Sequence, residues 1–282
     1  MKAAALSVAL TFAFIGQALG WGQEGHSIIA EIAQRRLSPQ AAAMVEQLLG
    51  RGHSLASIAS WADDVRGDRP DTYNWHFVDM PLSADRYKPE RDCKLDRAKG
   101  DCVVAELGRL KNDLRCATGE QKVDALKFAV HFLGDVHQPL HTVDDLAGGN
   151  DLKVELFMRG KTCTGKCNPE QASTNFHAAW DEGLIGKTVW NWGAFVERLE
   201  RGWLQSAEAQ QAGIDGGTPE DWANETHRMA QTVWDLRPTN DVLDDRYFRD
   251  VLPIIDRQLG VAGLRLAKFL NDAYGASECP VP

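Results

Sequence analysis

Residues 131–141 read HFLGDVHQPLH, and this stretch predicts a helix end that carries a metal site. His131 and Asp135 are four positions apart, so they project from the same face of a helix. Because Pro139 has no backbone N–H, the helix is expected to end just before it. His141 then lies on the turn beyond the helix and can bend back toward that face. Two imidazoles and a carboxylate gathered there suit a first-row metal ion, and zinc fits best.

Further candidate ligands lie in short motifs elsewhere in the chain. WGQEGH occupies positions 21–26, HFVD begins at position 76, and HAAWD at 177–181 repeats the four-residue spacing. A pair with this spacing is equally typical of a surface ion pair, so each motif alone is weak. Together the motifs supply several ligands of one kind, and imidazole mixed with carboxylate favours zinc over calcium. The nine candidates are Trp21 through its α-amine, His26, Asp63, His76, His131, Asp135, His141, His177 and Asp181.

The other three histidines, His53, His137 and His227, are predicted to lie in loops or on exposed helical surface, without a metal role. The sequence has no HExxH, the helix signature of the zinc proteases. It also has no P-loop, GxGxxG or GxSxG motif in a fitting context. These absences argue against several common classes of hydrolase and nucleotide-binding protein.

The first twenty residues predict a cleaved secretory signal. An apolar run that ends at Ile15 is too short and wrongly flanked for a membrane-spanning helix. The ALG at 18–20 is a small-x-small cleavage site, which makes Trp21 the mature N-terminus. We therefore expect a signal peptide at 1–20, one domain at 21–282, and a soluble product that is secreted or periplasmic.

Export would place the six cysteines in an oxidising compartment, where disulfides are the default. Cys93 with Cys102, and the two cysteines of 163–167, would each close a short local loop. These pairs leave Cys116 and Cys279 to pair by elimination. A zinc site within 163–167 is the alternative, but no second pair of Cys or His lies nearby.

Helical periodicity dominates, so the predicted fold class is mainly α, a single-domain multi-helix bundle. Ser38 and Pro39 are typical of an N-cap and a first helical turn. Alternation with period two occurs only at 152–158, which predicts a strand of a short β-hairpin. Helices are predicted at 26–37, 39–49, 54–65, 101–116, 123–137, 192–204, 219–236 and 244–274.

The formal net charge is −9, and it becomes −10 if Lys2 is removed with the signal. An acidic chain is unusual for a protein that binds nucleic acid, since phosphate contacts normally require a basic surface. Bound metal ions would change this balance. Three zinc ions would reduce −10 to −4 and concentrate positive charge in one cleft.

Taken together, the motifs make the chain resemble the S1/P1 nucleases, the class I trinuclear zinc nucleases, whose fold is shared with zinc-dependent phospholipase C. The resemblance covers the chain from Trp21 to the C-terminal helix. Order and spacing match the family throughout, and the combination is specific although no single piece is. The matching pieces are WGxxGH at 21–26, ASWAD at 59–63, HFVD at 76–79, HFLGDxHQPLH at 131–141, GGN at 148–150 and HxxWD at 177–181.

This resemblance implies three zinc ions. Asp135 would bridge two of them through its two carboxylate oxygens. The implied ligand sets are Asp63, His76, His131 and Asp135 for the first ion, Trp21 (amine and carbonyl), His26 and Asp135 for the second, and His141, His177 and Asp181 for the third. Cleavage before Trp21 would then create a metal-binding amine and couple export to activation.

The family pattern also implies phosphodiester hydrolysis. A hydroxide shared by two zinc ions would attack phosphorus in line, and the third zinc would stabilise the leaving 3′ oxygen. The implied catalytic residues are Asp63 and Asp135 with Arg66 and Asn150, the last two on the phosphate. Arg66 matches the family's basic residue, although by itself it is typical of an exposed arginine at a helix end.

Phe77 and Asp79 are the residues that the resemblance assigns to base recognition, the ring by stacking and the carboxylate by hydrogen bonding. Without the resemblance, Phe77 would be assigned to the core. Stacking requires a base free of its neighbours, so the expected substrates are single-stranded DNA, RNA and 3′-nucleotides, with 5′-phosphorylated products. A monomer without stable membrane association is expected.

Two other functions fit part of the pattern. A zinc-dependent phospholipase C shares the fold and the trinuclear plan, but the phospholipases use Glu where this chain has Asp181. The base-reading pair and the lack of an apolar lipid-docking loop also favour a nuclease. A non-catalytic exported zinc-binding protein would have no purpose for Arg66 and Asn150, and closed structural sites are often rich in Cys.

Overall fold

A computed structural model describes residues 20–157, 171–189, 191–276 and 279. Within these ranges the protein is mainly α-helical, which confirms the predicted class. The α-helices are α1 Gln23–Gln34, α2 Pro39–Leu49, α3 Trp61–Val65, α4 Pro89–Asp92, α5 Val103–Cys116, α6 Gly119–Asp135, α7 Phe176–Ala178, α8 Leu184–Thr188, α9 Trp192–Arg201, α10 Ala207–Asp215, α11 Pro219–Asp235 and α12 Asp245–Gly275. Short 3₁₀ turns cover Leu55–Ile58, Pro70–His76, Pro139–Thr142 and Trp203–Gln205, and Ala179–Gly183 is a π turn.

Helix α6 is the buried centre of the fold. Almost every residue of its second half is buried, and Val130, Phe132 and Leu133 are 0 % exposed. The helix ends at Asp135, before Pro139, and the chain resumes as a 3₁₀ turn that begins at the proline. The break predicted from Pro139 is therefore present, and it places the polar end of α6 inside the protein.

Helices α1 and α12 form the most extensive helix–helix contact in the described part of the chain. Ile28, Ile29 and Ile32 of α1 are all 0 % exposed. Gly263 of α12 permits the close approach, because a Cβ there would lie 2.5 Å from Cγ2 of Ile32. This packing holds the first turn of α1, which follows Trp21, against the core.

The prediction of one continuous helix at 54–65 is wrong. A 3₁₀ turn and α3 divide that segment, because Ser60 leaves helical geometry at φ −100° and ψ 2°. The amide of Asp63 consequently bonds to the Ser60 carbonyl, one residue short of the α-helical partner. The carbonyl of Ala59 is thereby available to accept a hydrogen bond from His131 Nδ1 at 2.7 Å.

The other predicted helices are present with shifted ends. Ser38 caps α2 as predicted, with its hydroxyl oxygen accepting from the Ala41 amide at 3.1 Å. The first helix starts earlier than predicted, at Gln23, and α9 ends at Arg201. Helix α10, rich in Ala and Gln, had not been predicted.

A three-stranded sheet of order β2–β1–β3 stands beside the helices. Strand β1 is Lys153–Phe157, which confirms the strand predicted at 152–158, and it pairs antiparallel with β2, Gln171–Asn175. Strand β3, Val242–Leu243, is parallel to β1 and too short for a periodic pattern to show. His177 follows two residues after β2.

Two of the predicted disulfides are present, Cys93–Cys102 and Cys116–Cys279. The pair within 163–167 and the signal at positions 1–19 lie outside the described residues. Among the described helices, none combines the length and the apolar character needed to cross a bilayer.

Candidate metal centre and substrate cleft

Four side chains from three segments converge at the end of α6. His76 Nδ1 and His131 Nε2 lie 3.1 Å and 3.2 Å from Oδ2 of Asp135. Each of the two nitrogens also lies 3.5 Å from Oδ1 of Asp63. These four residues are the set predicted for the first ion.

The second oxygen of Asp135 faces a different cluster. Its Oδ1 lies 3.2 Å from Nε2 of His26, and both side chains are fully buried. Gly20 borders the same space, because a Cβ at that residue would lie 1.7 Å from Asp135 Oδ1 and 2.9 Å from His26 Nε2. The junction between Gly20 and Trp21 therefore lies against the second predicted set.

A third cluster joins the turn after α6 to the segment after β2. The ligand atoms of His141, His177 and Asp181 lie within 4.8 Å of one another. His177 Nε2 is 3.5 Å from Asp181 Oδ2, and the centroids of the His141 and His177 imidazole rings are 4.8 Å apart. All three residues are buried.

Backbone carbonyls orient three of the imidazoles. The Nδ1–H groups of His131, His141 and His177 donate to the carbonyls of Ala59, His76 and Gly148 at 2.7, 2.6 and 2.7 Å. Each bond turns the Nε2 of the ring toward its cluster, the arrangement found for metal-binding histidines. Gly148 has φ 62°, and a Cβ there would be 2.7 Å from the Leu140 carbonyl oxygen and 3.1 Å from His177 Nδ1. The first glycine of GGN thus allows the loop to reach His177.

Several of the candidate ligand atoms fit metal ions because they are buried and have no hydrogen-bond partner. Unpaired buried polar atoms are costly, and a bound cation would satisfy these. Among the described residues, the buried atoms without a hydrogen-bond partner include Nε2 of His26, Oδ1 of Asp63, Oδ1 of Asp135, Nε2 of His141 and Nε2 of His177.

Burial keeps two of the imidazoles in the neutral form that metal binding requires, and it has the opposite effect on one carboxylate. Desolvation lowers the pKa of His76 to about 4 and that of His177 to about 3, so both rings are neutral near pH 7. Desolvation raises the pKa of Asp181 well above its usual value, although a hydrogen bond from Gln138 opposes the shift. A neighbouring cation would favour the carboxylate form of Asp181 and offset the cost of burying it.

His131 is the exception among these imidazoles. Desolvation alone would lower its pKa, but the carboxylates of Asp135 and Asp63 outweigh burial and raise the pKa well above the usual value. The same attraction holds the pKa of Asp135 well below its usual value in spite of desolvation. The end of α6 is therefore an intensely polar site inside an apolar core.

A cleft of about 230 Å³ opens beside the third cluster. Its walls include all four residues predicted for substrate binding, which are Arg66, Phe77, Asp79 and Asn150, together with His141 and His177. The structure therefore brings the predicted substrate residues and the third cluster to one surface.

Arg66 is the cation of this cleft. It is 5 % exposed, so the alternative of a freely exposed arginine is wrong. Its guanidinium carbon lies 3.9 Å from the ring centroid of Tyr73, and Nη2 donates to the Tyr73 carbonyl at 3.2 Å. Asn150 donates through Nδ2 to the Ala147 carbonyl at 2.8 Å, which fixes its amide at the cleft wall.

Asp79 is open to solvent at the cleft mouth. Desolvation by the cleft walls, with smaller effects from Asp144 and Asp92, raises the pKa of Asp79 to about 6. Its carboxyl group therefore changes charge close to neutral pH.

The sequence profile of the S1/P1 nuclease family matches residues 21–275. The chain belongs to this family. It is 30 % identical to Endonuclease 2 of Arabidopsis thaliana over 91 % of both chains. It is 29 % identical to Nuclease P1 of Penicillium citrinum, over 91 % of this chain and 98 % of that protein. It is 28 % identical to Nuclease S1 of Aspergillus oryzae, over 93 % of this chain and 95 % of that protein. The protein is thus an S1/P1-type endonuclease with His and Asp clusters suited to metal ions.

Three residues of the site in this S1/P1 nuclease were not predicted from the sequence. Tyr73 and Asp144 line the cleft, and Gln138 donates to Asp181 Oδ1 at 2.5 Å. Gln138 lies inside the HQPLH motif, and Tyr73 lies three positions before His76. Proximity to a ligand motif is therefore the sequence signal that could have indicated these two residues.

The expectation that His137 and His227 lie in exposed surroundings is wrong. They are 0 % and 1 % exposed, whereas His53 is exposed as predicted. Nδ1 of His137 donates to the Leu133 carbonyl at 2.7 Å, and Nδ1 of His227 donates to the Thr142 carbonyl at 2.7 Å. His227 therefore stabilises the turn that carries His141, although His227 belongs to none of the three clusters.

Proposed function

We propose that this S1/P1 nuclease is an exported enzyme that binds three zinc ions and hydrolyses single-stranded DNA and RNA to 5′-phosphorylated products. A 3′-nucleotidase activity is part of the proposal. The observation that carries it is the presence of three His/Asp clusters, of which the third lines a cleft that also contains an arginine and an aromatic ring.

The zinc ligands are assigned as the sequence predicts, with Asp135 shared by two sites. The support is that its Oδ2 faces His76 and His131 while its Oδ1 faces His26. Zinc bound at these sites supplies Lewis acidity, which lowers the pKa of water and stabilises negative charge on phosphate oxygens. All nine proposed ligands belong to one chain, so a single chain can complete all three sites, and we propose a monomeric enzyme.

Arg66 and Asn150 hold the phosphate in this proposal. Arg66 is buried and fixed by Tyr73, so its charge is already oriented before the substrate arrives. A preorganised cation stabilises the charge that develops on phosphate oxygens without further reorganisation. The amide of Asn150, at the same cleft, adds a polar contact beside that charge.

Phe77 and Asp79 recognise the base. A ring in the cleft wall offers a stacking surface, which is worth about 1–3 kcal/mol per base and tolerates every base. The carboxylate of Asp79 accepts from the amino group on a base edge. A base inside a duplex is already stacked and paired, which explains the preference for single strands.

The N-terminus completes the second zinc site in this proposal. Cleavage of the signal at 1–20 would remove Gly20, which borders Asp135 and His26, and would leave the free amine of Trp21 in its place. The mature domain would be 21–282. Two disulfides support an oxidising, extracytoplasmic location.

The test uses mature protein purified with zinc. It is incubated with single-stranded DNA, single-stranded RNA, duplex DNA, a 3′-nucleotide and phosphatidylcholine vesicles, with and without a chelator. The expected result is three zinc ions per chain by elemental analysis and chelator-sensitive release of 5′-phosphorylated fragments from both single strands. Hydrolysis of the lipid alone, or activity unaffected by metal removal, would overturn the proposal.

A further inference from the structure

Tyr73 is an aromatic residue of the cleft that the proposed function does not use in binding. Its side chain is 40 % exposed, which is unusual for a large ring, and it lines the same cleft as Phe77. The two ring centroids are 6.1 Å apart and the ring planes are nearly perpendicular, at 84°. The cleft therefore offers two adjacent aromatic surfaces in different orientations.

The Tyr73 ring is held in place from one side. Arg66 lies against it, with the guanidinium carbon 3.9 Å from the ring centroid, and bonds to its carbonyl. This contact covers part of the ring, and the exposed 40 % of Tyr73 remains available to a flat ligand. A ring that is already fixed loses little conformational freedom when a base stacks on it.

A disulfide-closed loop flanks Tyr73. The Cys93–Cys102 disulfide closes the loop. Asn74 anchors the loop, because its backbone N–H donates to the Lys99 carbonyl at 2.8 Å and its side-chain Nδ2 donates to the Gly100 carbonyl at 3.2 Å. Gly100 has φ 88°, and a Cβ there would be 2.6 Å from the carbonyl oxygen of Asp71. The glycine lets the loop pack closely against the turn that carries Tyr73.

The same loop presents positive charge on a chain whose net charge is −9. Lys94, Arg97 and Lys99 are exposed, and the Nζ of Lys99 lies 5.4 Å from the centroid of the Tyr73 ring. One of the two acidic residues of the loop, Asp101, is engaged by both terminal nitrogens of Arg109 at 2.7 Å. An aromatic ring beside exposed cations is the combination that single-stranded nucleic acid requires.

We propose that Tyr73 and Lys99 form a second nucleotide-binding position, next to the one at Phe77 and Asp79. The base of the adjacent nucleotide stacks on Tyr73, and Lys99 contacts the phosphate backbone of the strand. This inference rests on the proposed cleavage of single strands and deepens it. It makes the enzyme favour an oligonucleotide over a single nucleotide, by a factor on the order of ten.

The test compares two ligands of the zinc-loaded enzyme. A short single-stranded oligonucleotide, which fills both positions, is assayed as substrate. A nucleoside 5′-monophosphate, which fills one position and has no 3′-phosphate to hydrolyse, is assayed as its competitive inhibitor. The variants are Tyr73→Ala, Tyr73→Phe and Lys99→Ala, with Lys268→Ala on α12 as a control that removes the same charge outside the cleft. Thermal melting verifies that each variant is folded.

In Tyr73→Ala, KM for the oligonucleotide is expected to rise on the order of tenfold more than Ki for the mononucleotide. A loss common to both ligands reports the position of Arg66, so only their ratio measures stacking. Tyr73→Phe should keep the wild-type ratio. Lys99→Ala should raise KM for the oligonucleotide and leave Ki for the mononucleotide unchanged. It should also make the negative slope of log kcat/KM against log salt shallower by about 0.7, because one phosphate contact is lost. Lys268→Ala should change neither KM nor the slope.

An unchanged ratio in both Tyr73→Ala and Lys99→Ala would overturn the second position while leaving the nuclease function intact. If the wild-type enzyme cleaves no oligonucleotide at all, the proposed function itself fails, and the second position with it. The two failures are therefore distinguishable from the wild-type measurement alone.

Discussion

The side-chain amide of Gln138 lies 2.5 Å from Oδ1 of Asp181, and both residues are buried. The other end of the same amide accepts from the backbone N–H of Leu140. Gln138 therefore ties the turn after α6 to the carboxylate of the third cluster. Groups that orient a metal ligand in this way commonly change metal affinity by 10–100-fold when removed.

Replacing Gln138 by leucine should selectively weaken the third of the proposed zinc sites. Leucine has a similar volume but cannot donate to Asp181, whose carboxylate would lose the hydrogen bond from Gln138 and the orientation that this bond fixes. We expect the affinity of the third site to fall about 10–100-fold while the other two ions remain. Zinc titration with elemental analysis measures this. Three unchanged affinities would show that Gln138 does not position Asp181.

Asp135→Asn should remove at least one zinc ion and nearly all activity. The amide cannot supply two anionic oxygens, and Asp135 presents Oδ2 to His76 and Oδ1 to His26. Asp64→Asn is the matched control, because Asp64 is exposed and adjacent to Asp63 in sequence. Metal content and turnover on single-stranded DNA are compared. Near-normal turnover in Asp135→Asn would mean that the bridging role is misassigned.

The N-terminal residue of the mature chain should control the second site. A protein that begins at Trp21 has a free amine beside Asp135 and His26, whereas one that begins at Gly20 has an amide nitrogen there. We expect the longer form to bind two zinc ions well and the other poorly, with lower activity. N-terminal sequencing and metal analysis of both forms decide the matter. Full activity of the longer form would refute the coupling of export to activation.

Much of the fold was predictable because its signals are local. The cap at Ser38 and the break at Pro139 depend on the chemistry of one or two residues, and the structure has both. The shared role of the region around Asp135 could be inferred only from the resemblance, since spacing alone did not distinguish it from a surface ion pair.

What escaped prediction depends on tertiary contacts. The break at Ser60, which directs the carbonyl of Ala59 to His131, does not follow from the local sequence. His137 is buried among residues that are distant in sequence, such as Arg265, whose Nη1 lies 3.0 Å from His137 Nε2. Tyr73 is exposed because Arg66 and the loop closed by Cys93–Cys102 surround it without covering it.

Asp79→Asn should make the protein more stable at pH 8 and leave stability at pH 4 nearly unchanged. The folded state raises the pKa of Asp79 from 3.8 to about 6, so ionisation costs free energy in the folded protein, and stability falls as pH rises through this range. Asparagine does not ionise, and the penalty disappears.

Because Asp79 is solvent-exposed, the expected effect at pH 8 is a rise in Tm of only about 2 °C. Thermal melts of the two metal-free proteins at pH 4 and pH 8 measure it, as the difference in Tm between variant and wild type. An equal difference at both pH values would show that Asp79 does not titrate with a raised pKa.

Two glycine-to-alanine substitutions in helices should shift stability in opposite directions. Alanine favours a helix over glycine by about 0.5–1 kcal/mol where nothing opposes the added methyl group. At Gly108, an exposed position on α5 with no atom within 4 Å of the added Cβ, we expect a gain of that size. At Gly263 the Cβ would lie 2.5 Å from Ile32 Cγ2 and 3.1 Å from the Ile29 carbonyl oxygen.

The α1–α12 contact must therefore separate to admit a methyl group at Gly263, which costs about 1–3 kcal/mol in a close-packed core. Urea unfolding of both variants measures the difference in the free energy of unfolding. Since α1 begins beside the second metal cluster, Gly263→Ala should also weaken zinc binding there, and Gly108→Ala should not. A Gly263→Ala protein as stable as the wild type would mean that α12 can shift without cost, and that the close approach of the two helices is not required to hold the N-terminus in place.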